Sequence, residues 1–376
     1  MAKLKFGLVG GGYGAFIGQV HRMAAELDGL AELVCGVFSS EPERSQQAGT
    51  ELYHLPSARA YPTTSAMFAA EQQLLDHERM DFVIIATPNH MHYPIACEAL
   101  RSGFHVMCDK PATHSLAEAL ALQEQIQQSD RIFGLTHNYT GYAMVREARE
   151  LVRSGALGVV RRVNCEYLQG WLAQAEDDNK QAQWRTDPQR AGAAGCFGDI
   201  GSHAENLVSF VTDLEIEQLC ADLTTFVDGR ALDDDGNVLL RLQGGAKGVI
   251  SASQIALGKE NDLRLQVFGT KASLEWQQAD ANSLTVRSAD KPLAVHRSGW
   301  AGTTSQAIAA TRIPAGHPEG YIEAFAQLYR DFCLTLLGND SAALFPTIAD
   351  GVRGMRFIER VVASSKAGGQ WLSFVE

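Results

Sequence analysis

A chain of 376 residues, 45% apolar and 20% charged, has the composition of a soluble globular protein and the length for two domains. It contains no run of about 18 apolar residues that would span a membrane, and its formal charge of −12, with no Lys/Arg-rich block, disfavours nucleic acid and anionic lipid as partners. The seven cysteines are odd in number and form no CxxC pair, so they suggest neither a disulfide framework nor a zinc ribbon and fit a reducing, cytoplasmic location. The opening MAKLKFGLVG breaks into glycine too early for a secretory signal and reads as a strand.

From residue 4 to about 136, short apolar runs alternate with helical patterns. LKFGLVG precedes a helix from Gly18 to Leu27, AELVCGVFS precedes a helix from Glu41, DFVIIATP a helix from Tyr93, and HVMCDK a helix from Leu116, with RIFGLTH closing the series. This alternation predicts a doubly wound parallel sheet, and the unbroken run FVIIA suits a strand buried on both faces. After Thr136 the pattern changes. A helix with an apolar stripe at Met144, Ala148 and Leu151 stops at Ser154-Gly155. Strand-like runs follow at VVRRVNCEYL, LCADLTTFV, NVLLRLQGG, AKGVISASQIAL, LRLQVFGT and ASLEW, separated by DDDGN, GG and GT, which read as hairpin turns of a mostly antiparallel sheet. Helices return at about 319–337 and 347–366. The expected architecture is α/β: a Rossmann domain over 1–136, then an α+β domain over 137–376 with a large, mostly antiparallel open sheet.

Chemistry concentrates in a few stretches. GLVGGGYGAFIGQVH (7–21) sits between the first strand and the first helix, where glycine lets backbone N–H groups approach a pyrophosphate and the helix N-terminus favours negative charge. A strict GxGxxG/A reading takes Gly10, Gly12 and Ala15; a flexible strand-to-helix turn is the plainer alternative. The second strand ends in Phe38-Ser39-Ser40 with Arg44 on the next helix. No carboxylate holds the terminal position that selects a ribose 2′-hydroxyl, so NADP is favoured over NAD, although Glu41 and Glu43 weaken that inference. In ATPNHMH the third strand ends at Thr87-Pro88 and brings Asn89, His90 and His92 to the carboxyl edge of the sheet. No third ligand has metal-site spacing, so no metal is expected there. CDKP brings Asp109 and Lys110 to the same edge, and a lysine beside a cationic nicotinamide would exchange a proton near neutrality. DDDGN (233–237) lacks the glycine and glutamate of an EF-hand and reads as a turn.

Together, GxG after strand one, ATPNxxH and CDKP followed by a helix containing EA resemble the Gfo/Idh/MocA oxidoreductases, the family of glucose-fructose oxidoreductase and the inositol dehydrogenases. The resemblance extends over nearly the whole chain. Its motif usually begins with glutamate where this chain has Asp109, which leaves the partner of the shorter carboxylate open. The family's GxGxxGxxH is matched at both ends by Gly10, Gly12, Gly18 and His21 with three residues inserted, so the resemblance implies an enlarged loop in which Tyr13, Gly14, Ala15, Phe16 and Ile17 wrap the pyrophosphate. Ser39, Ser40, Arg44, Thr87, Pro88, Asn89, His92, Asp109 and Lys110 complete the implied cofactor set. The resemblance also implies an Asp-x-x-x-His pair, supplied by Asp199 and His203 in GCFGDIGSHAENL; a cap and a buried histidine are the plainer reading. If the segment is helical, spacing of four puts both on one face. By position on the family pattern, His137, Asn138, Tyr139 and Arg185 are expected to face substrate; Trp171 offers an aromatic face for a polyhydroxylated ring, with a place in the core as the alternative, and His317 at a helix entrance is a further candidate.

The function expected from these residues is NAD(P)-dependent transfer of a hydride at a secondary alcohol of a sugar, glycoside or cyclitol, with Lys110, Asp199 and His203 catalytic. Lys110 and His203 are interchangeable as proton acceptor at this stage. The alternatives are a family member that recycles its cofactor and cleaves a glycoside, and a nicotinamide-binding regulator without turnover. The resemblance further implies a homodimer or homotetramer formed through the large sheet.

Overall fold

A computed structural model describes residues 3–175, 179–339 and 344–375. Its contacts divide the chain into two compact units, Met1–His137 with Phe325–Val352, and Asn138–Ala324 with Arg353–Glu376.

In the first unit the elements run β1 (Leu4–Gly10), α1 (Ile17–Leu27), β2 (Ala31–Val37), α2 (Pro42–Glu51), α3 (Thr64–Glu71), β3 (Phe82–Ala86), α4 (His92–Arg101), β4 (His105–Cys108), α5 (Leu116–Gln127) and β5 (Phe133–Leu135). The strands form one parallel sheet in the order β2-β1-β3-β4-β5. Strand order reverses at β1, so the carboxyl ends of β1 and β3 form the switch point where such sheets bind ligands. All five residues of β3 are buried, as its continuous apolar run requires. The returning segment 325–352 completes this core. Phe332 is fully buried and packs edge-on against Phe82 at 5.3 Å and Phe345 at 5.4 Å, while Leu135 N donates to Pro346 O at 2.7 Å.

The second unit contains α6 (Ala143–Arg153), β6 (Val160–Leu168), α7 (Lys180–Arg185), α8 (Pro188–Ala191), α9 (Ser202–Thr212), β7 (Ile216–Thr224), β8 (Asp235–Leu242), β9 (Lys247–Ser253), β10 (Asp262–Gly269), β11 (Ala272–Gln277), β12 (Ser283–Ser288), β13 (Ala294–Arg297) and α10 (Ser305–Ala309). α11 (Tyr321–Leu336) and α12 (Ile348–Lys366) each divide between the two units, and β14 (Leu372–Ser373) ends the chain's strands. Nine strands form one sheet in the order β13-β12-β11-β10-β6-β9-β8-β7-β14. Only its central pair, β6 and β9, is parallel.

Register explains which face is buried. Val238, Ile250, Cys165, Leu265 and Trp276 lie opposite one another across five strands and are all buried. The parallel row Leu239, Val249, Asn164, Gln266 and Glu275 faces the other way, where polar residues alternate in. Helices α6 and α9 cover the buried face.

The structure corrects the expected turn at DDDGN. Thr224 pairs with Asp235, so residues 225–234 make the connection and Asp235 already belongs to β8. The next turn does follow its glycines, Gly244 and Gly245, with φ of 73° and 83°.

Because Phe332 belongs to the first unit's core, Phe332→Ala should destabilise that unit by about 3–5 kcal/mol in denaturant unfolding. A loss below about 1 kcal/mol would show that the returning segment is peripheral.

Candidate active site

At the carboxyl end of β1 the backbone passes too close to its neighbours for side chains. A Cβ on Gly10 would lie 2.2 Å from Ala86 O, one on Gly12 2.0 Å from Phe38 O, and one on Gly18 2.3 Å from Gly11 Cα. Gly18 therefore takes the helix-contacting place, and Ala15 instead closes a small turn by donating its N–H to Gly12 O at 2.9 Å. Gly14 has a φ of 73° with open space beside it, and Phe16 is exposed, so the inserted residues bulge outward. Phe16 supplies no side-chain cap to α1. A glycine-walled turn ahead of a helix that lacks a side-chain cap fits the pyrophosphate of a dinucleotide.

The bulge leans on the second strand's helix. Tyr13 OH donates to the Glu51 carboxylate, and the Arg44 guanidinium lies 6.0 Å from the Tyr13 ring centroid. Arg44 also sits 4.0 Å from Glu41, and Ser39 Oγ accepts Glu41 N at 3.1 Å, with Ser40 exposed beside it. Phe38 stacks on Tyr53 at 4.3 Å, and Tyr53 OH donates to Gly11 O at 2.7 Å, which ties the end of β2 to the glycine loop.

Beyond β3 and β4 the loops are braced from below. His92 is fully buried, with Nδ1 2.7 Å from Pro111 O and Nε2 2.9 Å from Thr87 O. It thus joins the two loops, with each ring nitrogen facing a backbone carbonyl; burial keeps its pKa below the ordinary imidazole value. Thr87 Oγ1 is buried without a hydrogen-bond partner among the described residues, which leaves its bonding capacity to a ligand or water. Asn89 is buried just after it.

Asp109 Oδ1 accepts Lys110 N and Thr136 Oγ1, each at 2.9 Å, and Oδ2 lies 3.7 Å from His21 Nε2. His21, fully buried on α1, has Nδ1 2.6 Å from Tyr329 OH on α11. Burial would raise the Asp109 pKa, but contact with His21 and the charges of His21, Lys110 and His92 overcome it and hold the carboxyl well below the usual carboxylate range. The shorter carboxylate thus has its partners, and Lys110 stands part-exposed on a backbone fixed by its neighbour.

In the second unit Asp199 lies on a π-helical turn, Phe197–Gly201, directly before α9, so the spacing of four to His203 crosses from one helical form to the other. Asp199 Oδ2 accepts Gln254 Nε2 at 3.0 Å and Arg185 Nε at 3.2 Å. Arg185, expected to meet substrate, directs its Nε to that ion pair. Its guanidinium also stacks 4.3 Å over Trp184 and lies 5.9 Å from the Trp171 ring. His203 is 8% exposed and meets the Tyr139 ring edge-to-face at 4.9 Å.

Tyr139 and Tyr167 share a hydroxyl-to-hydroxyl bond. Tyr167 OH donates to Asn261 Oδ1 at 2.6 Å, and Asn261 Nδ2 returns to Tyr139 OH at 3.1 Å. Gln169 joins the same Asn261 oxygen at 2.6 Å and accepts Trp171 Nε1 at 2.8 Å. Burial pushes the Tyr139 phenol up to about 12, so it stays neutral at physiological pH. Asn138 is 1% exposed, yet both atoms of its amide are buried without partners among the described residues.

His137 is buried at the end of the first unit's sheet. His317 is exposed and bonds only Pro314 O of its own turn, so the structure brings it to neither group of residues. Tyr167, Gln169, Gln254 and Asn261 escape the sequence reading. They are polar residues at strand ends, where polarity alone carries no distinguishing signal. Among the described residues no three His, Cys, Asp or Glu side chains group as metal ligands, and no helix is long and apolar enough to cross a membrane.

Comparison with known proteins gives a consistent result. Residues 4–137 match the model described as an oxidoreductase family with an NAD-binding Rossmann fold, and residues 145–275 match the GFO/IDH/MocA C-terminal domain. The uncharacterized oxidoreductase YfiI of Bacillus subtilis is 32% identical over 99% of this chain and 97% of its own. The crystal structure of an oxidoreductase from Sinorhizobium meliloti is 43% identical with a TM-score of 0.90, covering 99% of this chain and 100% of that one. An inositol dehydrogenase homolog from Azotobacter vinelandii, complexed with NADH and myo-inositol, is 32% identical with a TM-score of 0.91, covering 99% and 97%.

Two outcomes follow from the first unit's geometry. Gly12→Ala and Gly18→Ala should each weaken NAD binding about tenfold or more in calorimetric titration, because backbone must move, while Gly14→Ala, strained in φ but uncrowded, should weaken it less. Equal affinities across the three would discard the assigned glycine roles. Asp109 has a depressed folded pKa, so its contribution to stability is present above the unfolded value of about 3.9 and is lost as pH falls below it. Asp109→Asn should therefore be less stable than wild type at pH 7, and the difference in Tm should hold down to about pH 4 and narrow steadily below it; a difference that does not narrow below about pH 4 would refute the ionised assignment.

Proposed function

The chain belongs to the GFO/IDH/MocA oxidoreductase family, and on that premise we propose that it moves a hydride between NAD and a secondary alcohol carbon of a sugar, glycoside or cyclitol. It is an NAD-dependent oxidoreductase. The observation that carries the choice of substrate is the Asn138 amide, buried with donor and acceptor both unused, next in sequence to the Tyr139 ring that abuts His203. A polyhydroxylated ring needs such a pair of polar groups at its rim and an aromatic surface for its C–H face. The myo-inositol bound by the Azotobacter relative supports the same class.

When bound, the nicotinamide exchanges the hydride with the substrate carbon. His203 takes the hydroxyl proton, and Asp199 orients the imidazole and offsets the charge it gains. Arg185 and Gln254 hold that carboxylate in place. Lys110 hydrogen-bonds the reacting oxygen and shares or relays its proton. In the first unit, the glycine turn and Thr87 hold the dinucleotide, while Asp109 and His92 fix the loops beneath it.

We assign NAD in preference to NADP, against the expectation drawn from the end of β2. Arg44, the cation that would receive a 2′-phosphate, lies beside Glu41 and over Tyr13, whose hydroxyl is bonded to a second carboxylate, Glu51. The outward row of the nine-stranded sheet, with Leu239 47% exposed, supports a homodimer or homotetramer formed through that face.

The reading is tested by cofactor reduction over a panel of inositols, monosaccharides and disaccharides, with NAD and NADP in parallel. Lys110→Ala and His203→Ala should each lower turnover about 100-fold or more, far more than they weaken NAD binding. Wild-type turnover in both variants would overturn the assignment.

A further inference from the structure

We propose that Asp233 is a positioning residue for the proton-handling turn, setting where Asp199 and His203 sit without touching substrate itself. The inference rests on the reading that those two residues handle the proton. Asp233 lies in the acidic run that the sequence presents as a turn, and its bonds point elsewhere. Its carboxylate accepts Gly195 N at Oδ1, 2.7 Å, and Phe197 N at Oδ2, 2.8 Å, while its carbonyl accepts Cys196 N at 2.9 Å. Three successive backbone N–H groups leading into the π-helical turn thus end on one residue. Such groups have no partner within a helix and need an acceptor from outside it.

The link from there to Asp199 is direct. Gly195, held by Asp233, accepts Asp199 N at 2.9 Å, and a side chain at 195 would push this contact apart, because a Cβ would lie 2.4 Å from Asp233 O. The side chain of Asp199 is fixed from the adjacent position. Asp234 O accepts Gln254 N at 2.9 Å, and the Gln254 amide reaches Asp199 Oδ2 at 3.0 Å. Asp234 is itself immobilised by Phe226 N and Val227 N, each at 2.9 Å, and by Arg230. Backbone and carboxylate of Asp199 are therefore both referred to the last two residues of one strand connection. Catalytic groups tolerate displacements of only about half an ångström, which makes this reference frame matter for rate.

Asp233→Asn is the informative substitution, since it keeps the volume but turns an N–H donor toward Gly195 or Phe197. With NAD and the most active polyol of the panel above, kcat should fall about 10- to 100-fold at a temperature where circular dichroism shows the variant folded, with the NAD Kd within about twofold of wild type. The solvent deuterium isotope effect on kcat should rise as proton transfer becomes limiting. Adding Asp233→Asn to Asp199→Asn should cost less than about twofold more, because the first acts through the second. If Asp233→Asn does not fold, Gly195→Ala breaks the same contact from the other side and is held to the same outcomes. Impaired Asp199→Asn and His203→Ala beside a folded Asp233→Asn with wild-type kcat would overturn the inference alone, as would losses that multiply. Wild-type turnover in Asp199→Asn and His203→Ala would instead overturn the reading on which it rests.

Discussion

A carboxylate taken out of water must be given hydrogen-bond donors or a cation, and this requirement organises both halves of the molecule. In the first unit Asp109 collects a backbone N–H, a threonine hydroxyl and a histidine. In the second, Asp199 collects an amide and a guanidinium, and Asp234 two backbone N–H groups and another guanidinium. Further from the candidate site, Glu205 takes Arg353 at 2.8 Å and Glu147 takes His296 at 2.8 Å. Several of these pairs, Asp109 with His21 and Thr136, Asp199 with Gln254, Glu205 with Arg353 and Glu147 with His296, join segments distant in sequence. Removing one partner would leave a buried charge unmatched, which is costlier than the pair is favourable, so the pairs act more as constraints on geometry than as sources of stability.

That distinction clarifies the chemistry. A group that must gain and lose a proton should sit among neighbours that do not. Tyr139 is held neutral by burial, and Asp109 is held ionised by its surroundings. Around the residues assigned to proton transfer, the protein has thus fixed the charge state of the supporting cast. The end of β1 follows a different logic, in which backbone packs on backbone and leaves no room for side chains at Gly10, Gly12 and Gly18.

What the sequence makes legible is whatever depends on nearest neighbours. The unbroken FVIIA announces a doubly covered strand, the GG pair a turn, and the strand-glycine-helix succession a dinucleotide loop. The resemblance contributes Gly18 and the Asp199 and His203 pair, neither of which periodicity would single out. What stays hidden is the choice of partner. The apolar stripe on residues 321–336 shows a helix but not which sheet it covers. Nothing local says that Arg185 pairs with Asp199. DDDGN reads as a turn because nothing local shows that the Asp233 carboxylate binds backbone at Gly195 and Phe197. Strands β12 to β14 are short and weakly alternating, and they become strands only because a neighbouring edge is there to pair with.

The path of the chain has a consequence for synthesis. The first unit owns both the opening 137 residues and a segment that ends at Val352, with the bulk of the second unit made in between. As the chain leaves the ribosome, the parallel sheet emerges first yet lacks Phe332 and Phe345, the rings that seal it, until nearly everything else has been translated. Vectorial folding in the simple amino-to-carboxyl order is therefore denied to the nucleotide-binding half. It must wait, partly open, for its last element, while strands β6 to β13 of the other sheet, all made before Phe332, have the earlier opportunity to pair.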